Sequence, residues 1–147
     1  MRIYLDTWAI NRLMDDQSQM RVRLEAEAIE YFFLLLQAGK VIWIASSALE
    51  AEIRRNRDVQ CRENALGMLS YATEFLLPNM EVSDRARFLN SLGYGKFDAL
   101  HLSIAESAKV DWLLTTDDQF VRQAGRGLGN SFIRVANPLD YVQQVKS

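Results

Sequence analysis

Carboxylates placed where apolar runs give way to turns are the residues of this chain whose type and spacing could do chemistry. The densest stretch is Asp111-Trp112-Leu113-Leu114-Thr115-Thr116-Asp117-Asp118-Gln119-Phe120. It reads as a buried strand over 110–114, a Thr-Thr turn, and a helix over 118–123. Asp6 follows another apolar run, Arg2-Ile3-Tyr4-Leu5. Glu50 and Glu52 follow a third, Val41-Ile42-Trp43-Ile44, after Ser46-Ser47. Asp98 lies in the first turn of a helix expected over 96–109, with Glu106 eight residues on. In an open α/β sheet, ligands sit in the crevice outside the carboxyl ends of the strands. Carboxylates gathered there raise one another's pKa and cost stability. A hard divalent cation such as Mg2+ removes that penalty, since it takes oxygen ligands and bridges carboxylates to phosphate.

Each acid also has a plainer role. Asp6 is a good helix cap for the turns at 8–14. Glu50 and Glu52 lie about 200° apart on a helix, so only one can face a given site. Ser47-Ala48-Leu49-Glu50 reads as a capping box, which occupies Glu50 and leaves Glu52 free. Asp98 suits the helix dipole, a gain of ~0.3–1 kcal/mol. Glu106 is expected to face water. Of Asp117 and Asp118, one caps the following helix while the other points into the crevice. Thr115 reads as a β-branched strand end, and its hydroxyl is also placed to bond a neighbouring carboxylate. His101, the lone histidine, reads as a helix-packing residue, because nothing near it in sequence completes a site.

Positioning these groups requires alternating strands and helices. Residues 20–38 carry Val22, Leu24, Ala28, Ile29, Phe32, Phe33 and Leu36 at a helical rhythm. Gly39 stops that helix. Val41-Ile42-Trp43-Ile44 is a continuous apolar run, typical of a parallel strand covered on both faces. Helices are expected over 47–55, 60–73 and 83–92, the last capped by Ser83 or Asp84. A short strand is expected at 75–77. Gly93-Tyr94-Gly95 is a loop, 126–130 a flexible connection, 132–135 a strand, and Asn137-Pro138 opens a terminal helix. This alternation predicts an α/β fold with a parallel sheet and helices on both faces, in one domain over 1–147.

Composition narrows the classes. A chain of 147 residues, 49% hydrophobic, can bury a real core. With net charge −2 there is no global basic field, so any nucleic-acid binding needs a local patch. The single cysteine, Cys61, excludes an internal disulfide and reads as an ordinary thiol. The run 31–36 is too short to span a membrane. Met1 leads straight into a strand with no signal peptide, which predicts a cytoplasmic protein without membrane association.

The sequence resembles a PIN-domain ribonuclease, most closely the toxin of VapC-type type II toxin–antitoxin pairs. The similarity rests on Ile3-Tyr4-Leu5-Asp6-Thr7 with Ile10, and on Ser46 six residues before Glu52-Ile53. It continues through Phe97-Asp98-Ala99-Leu100-His101-Leu102 with Ala105-Glu106, then Leu113-Leu114-Thr115-Thr116-Asp117 with Phe120, and Asn137-Pro138. The resemblance implies a three-layer fold with a five-stranded parallel sheet of order 3-2-1-4-5. It implies a catalytic, metal-holding set of Asp6, Glu52, Asp98 and Asp117, selects Asp117 over Asp118, and adds Thr7 and Thr115 in support. It implies Mg2+ or Mn2+ as cofactor, RNA as substrate, an antitoxin protein as partner, and a homodimer. Arg54, Arg55, Arg57 and Lys96 are the local positive charge available to RNA phosphates, with Arg62, Arg122 and Arg126 nearby. Trp8 and Tyr94 are candidates to stack on bases or to pack at a dimer surface. Trp8 and Glu50 depart from the family pattern, Trp8 as a bulky residue that would narrow the site. Two other readings stand beside this one. A phosphatase with an aspartate nucleophile wants a second Asp where Trp8 stands. A catalytically silent PIN-like module would bind RNA or protein without cleaving.

Overall fold

The computed structural model describes residues 1–146; Ser147 lies outside it. In chain order the elements are β1 (Arg2–Leu5), α1 (Thr7–Asn11), α2 (Met20–Gln37), β2 (Ile42–Ser46), α3 (Ser47–Arg54) and α4 (Val59–Leu69). Then come β3 (Glu74–Leu76), α5 (Met80–Ser91), α6 (Lys96–Ala108), β4 (Trp112–Leu114), α7 (Asp118–Gly125), β5 (Arg134–Ala136) and α8 (Pro138–Lys146). The strands form one five-stranded sheet, order β3-β2-β1-β4-β5. Every pairing is parallel, with Tyr4 opposite both Ile44 and Leu113. This is the α/β fold and strand order expected from the sequence.

The apolar runs divide their side chains between two cores, because successive residues of a strand point to opposite faces. Ile3, Leu5, Trp43, Ala45, Trp112 and Leu114 face one core, closed by Ile29 and Phe32 of α2 and Tyr141 of α8. Tyr4, Ile44 and Leu113 face the other, closed by Leu89 of α5 and by Leu102 and Ala105 of α6. The result is three layers with the sheet in the middle. Among the described residues no helix is long and apolar enough to cross a membrane.

In this order the chain leaves β1 toward β2 and β3 on one side, and returns to place β4 and β5 on the other. The C-terminal ends of β1 and β4 therefore flank the topological switch point, where such sheets open a crevice. The backbone closes there in register: Asp6 N–H donates to Leu114 O (3.1 Å) and Thr115 N–H to Ala136 O (3.0 Å).

Several local expectations give way to tertiary contacts. Ser47 does not cap α3. Ser46 does, its Oγ accepting from Leu49 N–H at 3.1 Å, because β2 runs into the helix without a turn. On α2 the buried face is rotated: Leu24 is 40% exposed and Glu25 fully buried. Glu25 repays its desolvation with Arg12 at 2.8 Å, Arg21 at 3.2 Å and Asn137 Nδ2. Helix α5 starts earlier than expected, because Asn79 after Pro78 caps it through Val82 N–H at 2.9 Å. Helix α4 starts at Val59 on an Asp58 cap and ends at Leu69, short of Thr73. The supposed flexible connection contains a 3-10 turn, Leu128–Asn130, pinned by Arg85 Nη2 to Gly129 O (2.6 Å) and Tyr94 OH to Leu128 O (3.0 Å).

Candidate active site

Asp6 follows β1 and is 1% exposed. It fills both roles open to it. Oδ1 caps α1 by accepting from Ala9 N–H at 3.0 Å, while Oδ2 is buried with no hydrogen-bond partner among the described residues. Burial pushes its pKa well above the ordinary carboxylate range. The Thr115 hydroxyl and Ala9 N–H pull it back, and the charges of Asp98 and Glu52 push it further up. Thr115 is thus a neighbour of Asp6 as well as a strand end, and its Oγ1 also accepts from Asp117 N–H at 3.1 Å.

Glu52 projects from α3 toward β1. Its Oε1 accepts from Thr7 Oγ1 and from His101 Nε2, the latter at 2.8 Å. Burial works to raise its pKa, but the bonds from His101 and Thr7 and the charge of Arg55 win and hold it below the usual value. Glu50 turns the other way and pairs with Arg54 at 2.9 Å. The two glutamates are divided as their angular separation requires, through an ion pair and not through the expected capping box.

Asp98 lies in the first turn of α6, half-buried. Burial, then the charges of Asp117 and Glu52, push its pKa up to about 7. Asp117 is itself the cap of α7, Oδ1 accepting from Gln119 N–H at 3.0 Å. It does this while lining the crevice, so capping and facing the crevice are not divided between the two aspartates. Asp118 is drawn off by a bidentate pair with Arg21 at 2.6 and 2.9 Å. Asp6, Glu52, Asp98 and Asp117 therefore share one electrostatic neighbourhood at the switch point.

His101 is not merely a packing residue. Its Nδ1 meets Tyr4 OH at 2.6 Å, and Tyr4 OH meets Ser46 Oγ at 2.8 Å. With the ring proton on Nε2, Ser46 accepts from Leu49 N–H and donates to Tyr4, Tyr4 donates to Nδ1, and Nε2–H donates to Glu52. Each hydroxyl and ring nitrogen of this network has a partner. The network ties the cap of α3 to the carboxylate two turns along it, through residues of β1 and α6. No local pattern announces it. A lone histidine at the third position after Asp98 was the available signal.

Other expectations are corrected. Tyr94 is 1% exposed and packs edge-on against Phe120, so it is not free to stack on a base or to form a dimer surface. Glu106 does not face water; it forms a bidentate pair with Arg85 at 2.8 and 3.0 Å that ties α6 to α5. Trp8 does not narrow the crevice over Asp6, because α1 buries Thr7, Ala9 and Ile10 and turns Trp8 outward. Arg54 is exposed but paired with Glu50, and Arg57 and Lys96 are exposed. Arg55 lies over the Phe97 ring at 5.4 Å, which sets the end of α3 against the first turn of α6 beside Asp98.

The donor set suits a hard divalent cation: oxygen ligands only, mutually repelling, with one buried oxygen left without a partner. Among the described residues no three His, Cys, Asp or Glu side chains are already drawn into a chelate. The acids ring the crevice.

A three-layer parallel α/β domain with carboxylates collected at its switch point defines the class. The PIN domain model matches residues 3–126, and the chain belongs to that family. Solved structures with the same fold include VapBC2 from Rickettsia felis bound to a DNA fragment from their promoter. That match has 15% identity and TM-score 0.62, covering 93% of this chain and 98% of that one. VapC20 from Mycobacterium tuberculosis, a sarcin–ricin loop cleaving toxin, is similar with 14% identity and TM-score 0.61, covering 84% of this chain and 95% of that one. No curated protein matches the sequence.

Proposed function

We propose that this chain is a divalent-metal-dependent endoribonuclease, the toxin of a toxin–antitoxin pair, that hydrolyses RNA phosphodiester bonds. One observation carries the reading: Asp6, Glu52, Asp98 and Asp117 gather at the switch point, where Asp6 keeps a buried oxygen without a partner. Mg2+ or Mn2+ held by these residues would polarise the scissile phosphate and lower the pKa of an attacking water. Thr7 and His101 hold Glu52 by one oxygen and leave the other without a hydrogen bond among the described residues. Gln119 N–H does the same for Asp117. Asp98, half-buried, would orient that water and accept its proton. Arg54 and Arg55 at the end of α3, Arg57 in the loop that follows and Lys96 at the start of α6 meet the RNA phosphates.

What VapC20 cleaves and the complex in which VapBC2 is found support RNA as substrate and an antitoxin protein as partner for this chain; a cytoplasmic setting belongs to the same proposal. A homodimer is part of the same reading. The second reading, a catalytically silent binding module, has one observation in its favour, the absence of a ready-made chelate among the described residues. The test is Asp6→Asn, assayed for RNA cleavage in Mg2+, in Mn2+ and in chelator. Asn caps a helix about as well as Asp, so the fold is kept while the charge is lost. We expect metal-dependent cleavage by the parent and none by the variant. Full cleavage by Asp6→Asn would remove Asp6 from the reaction, and a parent that cleaves in neither metal would remove the nuclease reading.

A further inference from the structure

Of the three tryptophans, Trp43 and Trp112 are 0% and 5% exposed, whereas Trp8 is 53% exposed. Trp8 lies two residues after Asp6 on the outward face of α1, and nothing in the core requires an indole there. It lines an open cavity of about 380 Å3 with Arg12, Thr116, Asp117, Asp118, Gln119 and Arg122, and the Asp118 carboxylate there is held by Arg21. Asp117 belongs to both this cavity and the acidic crevice, so whatever fills the cavity is continuous with whatever reaches the acids. The two arginines differ. Arg12 is tied to Asp15 at 2.9 Å and Glu25 at 2.8 Å. Arg122 is exposed and its guanidinium makes no hydrogen bond or ion pair among the described residues, though Asp118 feels its charge.

We propose that Trp8 and Arg122 form a nucleotide subsite beside the cleavage crevice, in which an unpaired RNA base stacks on the Trp8 indole and Arg122 meets the phosphate attached to it. The proposal rests on the nuclease reading and names its substrate class: RNA whose nucleotide next to the scissile phosphate is unpaired. A paired base is stacked in its duplex and does not offer its face to a side chain, whereas a splayed base does. Stacking tolerates any base, since each has a π-face, so the subsite selects for single-strandedness rather than for sequence. A protein segment would fill the same cavity with no need of Arg122 or of continuity with Asp117, and the observations favour the nucleotide.

Because the other tryptophans are buried, emission that RNA quenches reports on Trp8. The experiment uses the full chain as Asp6→Asn in Mg2+, with three labelled probes followed by anisotropy and tryptophan emission together. The probes are an eight-nucleotide single-stranded RNA, the same RNA in a duplex, and an abasic ribose-phosphate chain of equal length. We expect quenching by the single strand alone. Adding Trp8→Ala should weaken single-strand binding about 5- to 150-fold, the range for losing one stacked base. It should leave the other two probes within about twofold, and Trp8→Phe should restore most of the loss. Arg122→Gln should weaken all three. In the cleaving parent, Trp8→Ala should raise KM with kcat held, the mark of lost uniform binding.

Single-strand binding with unchanged Trp8 emission, no binding of the single strand, or a Trp8→Ala variant that binds like its parent would each overturn the subsite. So would emission that answers only to a protein partner. The two readings fail separately: cleavage without quenching removes the subsite and keeps the nuclease, and quenching by a parent that never cleaves does the reverse.

Discussion

Replacing Asp98 by Asn in the cation-free protein isolates the burden the acids place on one another. The Asp98 carboxyl is pushed to about 7 by burial and then by Asp117 and Glu52. Unfolded, it titrates at about 3.9. The folded state therefore holds the proton more tightly than the unfolded state. The stability associated with Asp98 is fully present below pH ~4, and it is lost as pH rises through about 7. At full weight the difference is worth ~4 kcal/mol. Asp98 is only half-buried, and water screens it, which leaves ~2 kcal/mol. For a domain of this size that is a melting shift of roughly 4–8 °C. Thermal melts of the parent and Asp98→Asn, from pH 4 to 8 in chelator, read it directly. We expect near-equal melting temperatures at pH 4, a parent that falls more steeply as pH rises, and a variant roughly 4–8 °C higher at pH 8. Adding Mg2+ at pH 8 should raise the parent more than the variant, since stabilisation follows affinity for the folded state. Parallel pH curves, with the variant no more stable at pH 8, would refute the idea that these carboxylates strain one another.

His101→Leu removes the bridge between Tyr4 and Glu52 while keeping apolar volume. Melts should show a loss of ~1–3 kcal/mol, and cleavage should fall as Glu52 loses a bond that orients it; an unchanged melting temperature would count against the network. Gly129→Ala should be far more damaging than Gly127→Ala, although both have positive φ (+77° and +75°). A Cβ at Gly129 would sit 2.4 Å from Leu89 Cδ2, whereas at Gly127 it meets nothing within 4 Å. Denaturant titrations should show ~1–2 kcal/mol for the left-handed backbone at either site, plus ~1–3 kcal/mol of overpacking at Gly129 alone. Equal losses at the two glycines would show that Leu89 gives way.

The features legible in the amino-acid order rest on local patterns. Apolar runs at 2–5, 41–44 and 110–114 become neighbouring parallel strands, because a strand buried on both faces must be apolar throughout. Each run ends in an acid or a hydroxyl, and in a parallel sheet all such ends fall on one edge. That brings Asp6 and Asp117 to one crevice, where Glu52 joins them from the helix that follows β2 and Asp98 from the start of the helix that leads into β4. Tertiary structure decided whatever depends on groups distant in sequence. Tyr4 and His101 are 97 positions apart, Arg21 and Asp118 likewise 97, and Glu25 and Asn137 112. A polar side chain is buried only where partners meet it, so neither the buried Glu25 nor the site role of His101 could be read from neighbours in sequence. Ser46 and Ser47 are equally good caps by composition, and only where β2 ends chooses between them. Trp8 is a matter of direction: α1 turns its apolar face to the sheet through Ala9 and Ile10, and the indole, one position away, is left facing the solvent beside Asp117.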